Sequence, residues 1–424
     1  MNPIMHLKDS LAARFPALSS RDFSIFWVGQ FVSLIGTWMQ STTQPYLAYR
    51  ISGQPFDLGL IGFAATLPTL FLALPGGVIV ERLDKRKTVI VLQLVMLLQA
   101  LALAGLTLSG IIQIWHIIAL AFILGIANAI EITARQAMLV ELVGKERLPN
   151  AIALQATIFN AARVLGPMIA APFLVLIREN GEGWAFLANG VSYLFVIIGL
   201  LFVNTPFKAP RSVRQKTNLL EEFKTGQHYI RSTPVVGMLI LMSSIIGFIG
   251  FPLIQQIPVI ARDVLAQAGD TPDTQATRNS ILFTFQGIGA LIAALTLAAF
   301  NPRRKGWLLT FGQMAFAFSL IGLSFNRLIP LAALLILLVG WGTVTMLATT
   351  NTLIQLTVPD SLRGRVFSTY LWGLQGVAPF GSLAIGWMSQ TWGVSVALLI
   401  CGLACLVFIG LIHVRNPEIR QREA

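Results

Sequence analysis

The sequence predicts an all-α integral membrane protein with twelve transmembrane helices in two pseudo-symmetric six-helix bundles. Three observations predict this class. Of the 424 residues, 55% are hydrophobic and only 11% are charged, and the mean hydropathy of +0.74 lies far above that of ordinary soluble domains. Apolar runs of about 18 residues or more, long enough to cross a bilayer as helices, recur along the chain. One long polar connection divides these runs into two sets.

The apolar runs position the predicted helices in order. In the first half they cover residues 24–49, 58–80, 88–112, 116–134, 150–177 and 184–203. In the second half they cover residues 235–261, 280–300, 307–325 and 328–353. The last charge-free run, residues 366–414, is too long for one crossing, so we expect two helices there with a turn at residues 389–393.

The polar connection defines the predicted domains. Residues 1–203 form a first six-helix bundle, residues 204–233 a cytoplasmic linker, and residues 234–424 a second six-helix bundle. Weak internal similarity supports this division, because "ARQAMLVELVGKERLPNAIAL" from Ala134 and "TTNTLIQLTVPDSLRGRVFS" from Thr349 have much the same shape. A repeat of this kind is typical of transporters whose two halves rock around a central site.

Charge predicts the orientation. Most of the 30 Lys and Arg residues fall on alternate connections, which puts both termini in the cytoplasm and makes the chain a multi-pass protein of the plasma (bacterial inner) membrane. The net charge of +12 therefore requires no nucleic acid partner. Anionic membrane lipids are the expected partners of this surplus, and we expect a monomer.

The segment "GGVIVERLDKRK" carries a family resemblance. Gly77, Glu81, Arg82, Lys85 and Arg86 fall on the loop motif Gly-x3-Asp-Arg-x-Gly-Arg-Arg, although Glu81 replaces Asp and Asp84 replaces Gly. On these residues the chain resembles the major facilitator superfamily. The stretches "GTWMQSTTQPYLAYRISGQPFDLGLIGFAATLPTLFLALPGG" and "EITARQAMLVELVGKERLPNAIALQATIFNAARVLGP" resemble its branch of enterobactin exporters and macrolide and drug efflux proteins.

The resemblance implies the major facilitator fold and secondary active export of a small amphipathic compound, of the drug or siderophore class, by alternating access. Antiporters of the superfamily have small residues at fixed positions of helix 5. The corresponding positions here are Ala153, Ala162, Gly166, Pro167, Ala170 and Ala171. Ala162, Gly166 and Pro167 are therefore predicted hinge and packing residues in a proton antiporter. Tight packing without any coupling role is the alternative.

Polar residues inside helices predict the substrate contacts. In helix 1 the residues Gln30, Ser33, Thr37, Gln40, Ser41 and Gln44 share one face. That face lines either a water-filled cavity or a structural seam between helices. The predicted substrate-binding residues are Gln40, Gln44, Asn160, Arg163, Gln256, Gln286, Trp372 and Gln375.

Charged residues inside spans allow two interpretations. In the first, Glu131 is a protonation site and Arg163 holds either its charge or the anionic part of a substrate. In the second, Glu131 and Arg135 belong to a cytoplasmic gate. The predicted gating residues are Gly77, Glu81, Arg82, Arg86, Arg135, Arg363 and Arg365.

Enzyme motifs are absent from the sequence. It has no phosphate-binding GxxxxGK[ST] loop and no paired metal-ligand motif, so we expect no catalytic residue, no metal and no cofactor. Two other functions stay open at this point: a lipid or lysophospholipid translocator of the same fold, and a transporter-like receptor or channel.

Overall fold

The computed structural model describes residues 15–177, 180–205, 207, 219–300 and 304–415. Within these ranges the regular structure is helical, with no β-strand. The helices, numbered in chain order, are α1 (Arg21–Ser52), α2 (Pro55–Arg82), α3 (Lys85–Leu108), α4 (Ile114–Leu176), α5 (Gly181–Leu201), α6 (Leu219–Ser232), α7 (Pro234–Gln255), α8 (Pro272–Phe300), α9 (Lys305–Phe325), α10 (Ile329–Thr357), α11 (Asp360–Gln375), α12 (Ala378–Trp392) and α13 (Val394–Arg415).

Nine helices of the described ranges are long and apolar enough to cross a membrane. One of them, α4, runs for 63 residues and contains the predicted span 116–134 and the predicted span 150–177 up to Leu176. Its backbone leaves the helical conformation at Gly144, with φ 75° and ψ 168°. Only glycine adopts this conformation without strain, so Gly144 is where the chain turns. The all-helical class is confirmed, while the count of twelve stays a prediction.

The last charge-free run divides where the sequence predicts. Helix α12 ends at Trp392, Gly393 has φ 84°, and α13 begins at Val394. The structure has a second interruption in this run, which the sequence did not predict. Helix α11 ends at Gln375 and α12 begins only at Ala378. Pro379, at the start of α12, has no N–H to continue the ladder of α11.

The chain divides into two compact units. The first contains the described residues of Met1–Thr43 and Phe71–Arg211, and the second those of Gln44–Leu70 and Ser212–Ala424. Both boundaries in the first half fall inside helices, α1 and α2. The sequence did not predict that residues 44–70 group with the second half, and the bundle limits at residues 203 and 234 stay a prediction.

In the first unit, α3 packs against α5 and α4. The carboxylate of Asp84 accepts a hydrogen bond of 3.1 Å from the backbone N–H of Lys87 and so caps α3. The aspartate that departs from the family motif therefore has a structural role of its own.

In the second unit, α10 packs against α8, α9 and α7. Helices α8 and α10 approach at two glycines, because a Cβ on Gly289 would overlap the carbonyl of Leu337 and a Cβ on Gly340 that of Gln286. Small residues at such crossings let membrane helices pack backbone to backbone. Gln286 is thereby placed at the crossing of two helices.

Candidate functional site

Arg163 lies between two aromatic rings of the first unit. Its guanidinium carbon is 4.9 Å from the ring centroid of Trp38 on α1 and 5.2 Å from that of Phe159, one turn earlier on α4. The two rings meet edge to face, with centroids 5.6 Å apart and an interplanar angle of 75°. Both distances lie in the range of cation–π interactions, so the two rings compensate part of the positive charge of Arg163.

The arginine is not otherwise neutralised. Its Nε is buried and has no hydrogen-bond partner, and within the described residues Arg163 forms no ion pair. A buried donor without a partner is costly, so its presence needs an explanation, and a ligand that binds there would provide one. The cluster of Trp38, Phe159 and Arg163 is therefore the first candidate site, and we call it the aromatic cradle.

A seam of small residues positions the cradle. Ala162 and Ala170 have no exposed surface, and Gly166 and Pro167 are buried. A Cβ on Gly166 would lie 2.8 Å from the backbone nitrogen of Met39, closer than real Cβ contacts occur. Because α4 approaches α1 this closely, the ring of Trp38 meets the side chain of Arg163 one turn from Gly166.

The seam is buried and approaches α1 closely at Gly166, whereas the predicted roles of its residues in packing and antiport stay predictions. Ala153, the first position of the predicted pattern, is exposed and does not join the seam. Pro167 keeps helical backbone angles, and the interruption of α4 lies at Gly144 instead. The hinge assigned to Pro167 therefore also stays a prediction.

Glu131 lies in a second cluster of the first unit. Its side chain is buried, with 4% of the residue exposed. One carboxylate oxygen lies 3.3 Å from Nε of Arg135, one turn further along α4, and accepts a 3.3 Å hydrogen bond from Gln93 of α3. The structure does not bring Arg163 to Glu131, because Arg163 contacts the rings and Glu131 contacts Arg135.

The motif that follows α2 is described in part. Gly77, Glu81 and Arg82 are described only as helical backbone of α2, and the contacts expected of them lie outside the described part of the structure. Lys85 forms a partly buried ion pair with Glu141 of α4. Arg86 donates a 3.0 Å hydrogen bond to the carbonyl of Leu201 at the end of α5. The basic half of the motif therefore ties α3 to α4 and α5.

The predicted gating residues of the second unit lie on α11. Arg363 is 2.5 Å from the carboxylate of Asp360 and donates a 3.2 Å hydrogen bond to the carbonyl of Gln355 on α10. Arg365 packs against α6, where a Cβ on Gly226 would lie 3.1 Å from its own Cβ. These arginines therefore brace α11 against its neighbours.

Part of the polar face of α1 packs against α3 and α5 and forms a hydrogen-bonded seam between these helices. Gln40 is 2% exposed; its amide nitrogen donates to Gln99 of α3 at 3.3 Å, and its oxygen accepts from Asn189 of α5 at 2.6 Å. The hydroxyl of Tyr193 lies 3.4 Å from both Thr37 and Asn189. This geometry favours the structural alternative for Gln40.

Sequence reasoning missed the partners in this seam. Asn189 has no exposed surface and Gln99 is 3% exposed, yet each is a lone amide in an apolar stretch. The only sequence signal for these two residues is that each is an amide well inside an apolar helix, Asn189 in α5 and Gln99 in α3.

The other predicted substrate contacts lie apart along the chain. Asn160, on α4, donates a 2.8 Å hydrogen bond to the carbonyl of Ala156. Gln44, Gln256 and Gln286 are buried in the second unit, and Gln256 donates a 3.2 Å hydrogen bond to the carbonyl of Pro55. Trp372 and Gln375, on α11, are exposed. Their role in binding stays a prediction.

Long apolar helices that carry buried amides and charges define a class, the polytopic α-helical membrane proteins. Comparison with known proteins identifies the family within that class. The model of the transmembrane secretion effector family matches residues 12–424. The chain belongs to this family of major facilitator transporters, and the predicted membership is confirmed.

Relatives and a solved structure agree with this assignment. The chain is 23% identical to the multidrug efflux pump Tap of Mycolicibacterium fortuitum over 89% of its own length and 91% of that protein's. It is 23% identical to the enterobactin exporter EntS of Escherichia coli K12 over 94% of each chain. A bacterial homologue of the human lysosomal transporter Spinster shares the fold, with a TM-score of 0.71 and 15% identity over 94% of this chain and 98% of the other.

Proposed function

We propose that this protein is a secondary active transporter that exports a small amphipathic compound of the drug or siderophore class by alternating access and proton antiport. The observation that carries the proposal is the match over nearly the whole chain to a multidrug efflux pump and an enterobactin exporter. The relatives are transporters, and no enzyme motif competes with this function.

The aromatic cradle supports the substrate class. A cation held between two rings presents both a charge and flat apolar surface, which together suit a ligand with aromatic and anionic parts. Because Nε of Arg163 has no hydrogen-bond partner, an anionic oxygen of the substrate would gain a charge-assisted hydrogen bond there. Arg163 is thus the proposed substrate contact, and Asn160 lies one turn earlier on the same helix.

The cluster of Glu131, Arg135 and Gln93 supports proton coupling. When Glu131 is ionised, the ion pair with Arg135 balances its buried charge. When Glu131 takes up a proton, the pair loses its attraction, and Arg135, a predicted gating residue, is released to form other contacts. Protonation would therefore shift the population between conformations, which antiport requires. Gln93 can hydrogen-bond either form of the carboxyl group.

The test is transport in proteoliposomes with and without an imposed pH gradient, using a panel of fluorescent drugs and iron-free siderophores. We expect the gradient to increase the initial rate for at least one compound. Glu131→Gln should abolish that increase while it preserves exchange of the same compound at equal pH. The control is Glu146→Gln, which removes an exposed carboxylate from the same helix.

Two results would contradict parts of the proposal. If the Glu131→Gln protein keeps the full response to the gradient, Glu131 does not couple protons. If neither drugs nor siderophores are transported and labelled lysophospholipids are, the protein is a lipid translocator of the same fold.

A further inference from the structure

Tyr193 of α5 carries a buried hydroxyl group that has no part in the function proposed above. The residue is 1% exposed, and its ring belongs to an apolar cluster with Met96 of α3 and Ala127 of α4. A buried phenol needs a hydrogen-bond partner for its hydroxyl, because a buried polar group without one is costly. The partners of this hydroxyl therefore indicate what the residue does.

The hydroxyl of Tyr193 is held by two long hydrogen bonds. Its oxygen lies 3.4 Å from Oγ1 of Thr37 on α1, and Nδ2 of Asn189 donates to it at 3.4 Å. The hydroxyl of Thr37 donates to the carbonyl of Ser33 at 2.9 Å, so Tyr193 is the donor in its contact with Thr37. Hydrogen bonds between two oxygens are usually about 2.5–3.0 Å long, so a contact of 3.4 Å holds the phenol proton weakly.

One side of Tyr193 leads to the surface of the first unit. Thr37 is half-buried, and Ser41, one turn further along the same polar face of α1, is exposed. An exposed polar face of a membrane helix is stable next to water and costly next to lipid. The side of Tyr193 that contacts Thr37 is therefore the side nearer to water.

The other side of Tyr193 leads to Glu131. The negative charge of Glu131 acts on Tyr193 through space, and Glu131 lies one turn along α4 from Ala127. Glu131 is in turn the partner of Arg135 and of Gln93. Among the described residues the amide oxygen of Gln93 has no hydrogen-bond partner, and buried polar atoms are usually paired with protein or with internal water. A water molecule bound to that oxygen would bridge Glu131 and Tyr193.

We propose that Tyr193 relays protons between water at Thr37 and the carboxylate of Glu131. This role rests on the proposed proton antiport and adds the path by which the proton moves. In each uptake the hydroxyl passes its proton towards Glu131 and receives one from water on the Thr37 side, so Tyr193 is unchanged and the carboxylate becomes neutral. Release runs the same two transfers in reverse. The N–H of Asn189, which donates to the phenol oxygen, stabilises the negative charge that develops there during the transfer.

The test measures proton uptake without any transported compound. Purified protein in a weakly buffered solution of neutral detergent is mixed with acid by stopped flow, and the indicator dye bromocresol green follows the protons taken up. Exposed carboxylates take up protons at once, so a buried carboxylate should appear as a slower phase. The phase that Glu131→Gln removes is the uptake by Glu131.

Tyr193→Phe keeps the ring and removes only the hydroxyl. We expect it to slow the Glu131 phase about tenfold or more at unchanged amplitude, because a positioned proton donor contributes about 10²–10⁴ in rate and water replaces part of this. The matched control is Tyr370→Phe, which removes the hydroxyl of a tyrosine that is 2% exposed in the second unit. It should leave the phase within about twofold of the wild type.

Thr37→Val provides a second variant, on the side nearer to water. It should slow the same phase about two- to fivefold, a smaller effect, because a water molecule can take the place of the lost hydroxyl. Agreement between the two variants would place both hydroxyls on one path.

The results separate the relay from the proposed function. If Glu131→Gln removes a phase that Tyr193→Phe leaves at the wild-type rate, the relay is wrong and proton uptake by Glu131 stands. If Glu131→Gln removes no uptake, the proposed proton site is wrong and the relay is wrong with it. A smaller amplitude in Tyr193→Phe, together with a lower unfolding temperature and an unchanged rate, would mean that the hydroxyl only stabilises the seam.

Discussion

The guanidinium of Arg163 on α4 lies over the indole ring of Trp38 on α1, 4.9 Å from its centroid. This contact joins the two helices one turn from Gly166, where a Cβ would lie 2.8 Å from the backbone nitrogen of Met39. A charge inside a predicted span is thereby held by ring faces instead of a carboxylate. Because ring faces attract a cation less strongly than a carboxylate does, the proposed exchange of this contact for one with a substrate would cost less than breaking an ion pair.

The first prediction concerns Trp38. Trp38→Ala should remove the cation–π contact, which contributes about 0.5–2 kcal/mol, and so raise the apparent KM for the exported compound by about 2- to 30-fold. Trp38→Phe keeps a ring and should have the smaller effect. Transport kinetics in proteoliposomes measure both. Trp115→Phe, at an exposed position near the start of α4, is the control; an equal change there would mean that the effect is not specific to the cradle.

The second prediction concerns the crossing of α1 and α4. Gly166→Ala places a Cβ 2.8 Å from the backbone nitrogen of Met39, and overpacking of this kind costs about 1–3 kcal/mol. The unfolding temperature in detergent should therefore fall. Gly105→Ala is the matched control, because a Cβ there meets nothing within 4 Å, and alanine favours the helix by up to about 1 kcal/mol. If both variants unfold alike, the close approach at Gly166 does not stabilise the unit.

The third prediction separates the seam of α1 from a substrate surface. Asn189→Ala leaves the buried amide oxygen of Gln40 without its donor, and polar contacts of this kind in membranes contribute about 0.6–1.7 kcal/mol. The unfolding temperature should fall without a change in substrate preference. Ser41→Ala, on the same face of α1 but exposed, should leave the unfolding temperature unchanged. A change in substrate preference with unchanged stability in Asn189→Ala would contradict the seam.

The fourth prediction concerns pH. Hydrogen bonds from Arg278 hold the pKa of the Asp270 carboxyl below its ordinary value of 3.8. A carboxyl whose pKa is lower in the folded state stabilises the protein above pH 3.8, and this stabilisation is lost as the pH falls through the folded pKa. Asp270→Asn should therefore lower the unfolding temperature at pH 7, and its difference from the wild type should shrink below pH 3.8.

Unfolding curves between pH 7 and pH 3 measure this difference. Asp273→Asn removes another carboxylate from the start of α8 without removing a partner of Arg278, and should show no such pattern. A difference between Asp270→Asn and the wild type that persists unchanged at pH 3 would mean that the ionised pair is not its source.

Local patterns explain which features the sequence could predict. The lengths of the apolar runs predict the helices, because backbone N–H and C=O groups inside a bilayer must form their hydrogen bonds within the segment. The turn at Gly393 was predicted from turn residues in an overlong run, since positive φ is a local property. The break between α11 and α12 was missed because the run is uninterrupted in hydropathy.

Pairing between helices depends on geometry that a single sequence does not contain. Glu131 and Arg135 are four residues apart, so their contact follows from helix periodicity. Arg163, by contrast, was a predicted partner for the charge of Glu131, and its guanidinium lies against the rings of Trp38 and Phe159 instead. The partners Gln99 and Asn189 lie on other helices, far from Gln40 in the chain.

By itself the sequence determined that this protein is an all-helical membrane transporter of the major facilitator type, because hydropathy, charge asymmetry and a loop motif are properties of consecutive residues. Only the tertiary structure decided what the buried polar groups contact: aromatic rings for Arg163 and amides for Gln40. The physical reason is that each contact depends on the rotation and close approach of helices, which glycines such as Gly166 permit but do not specify.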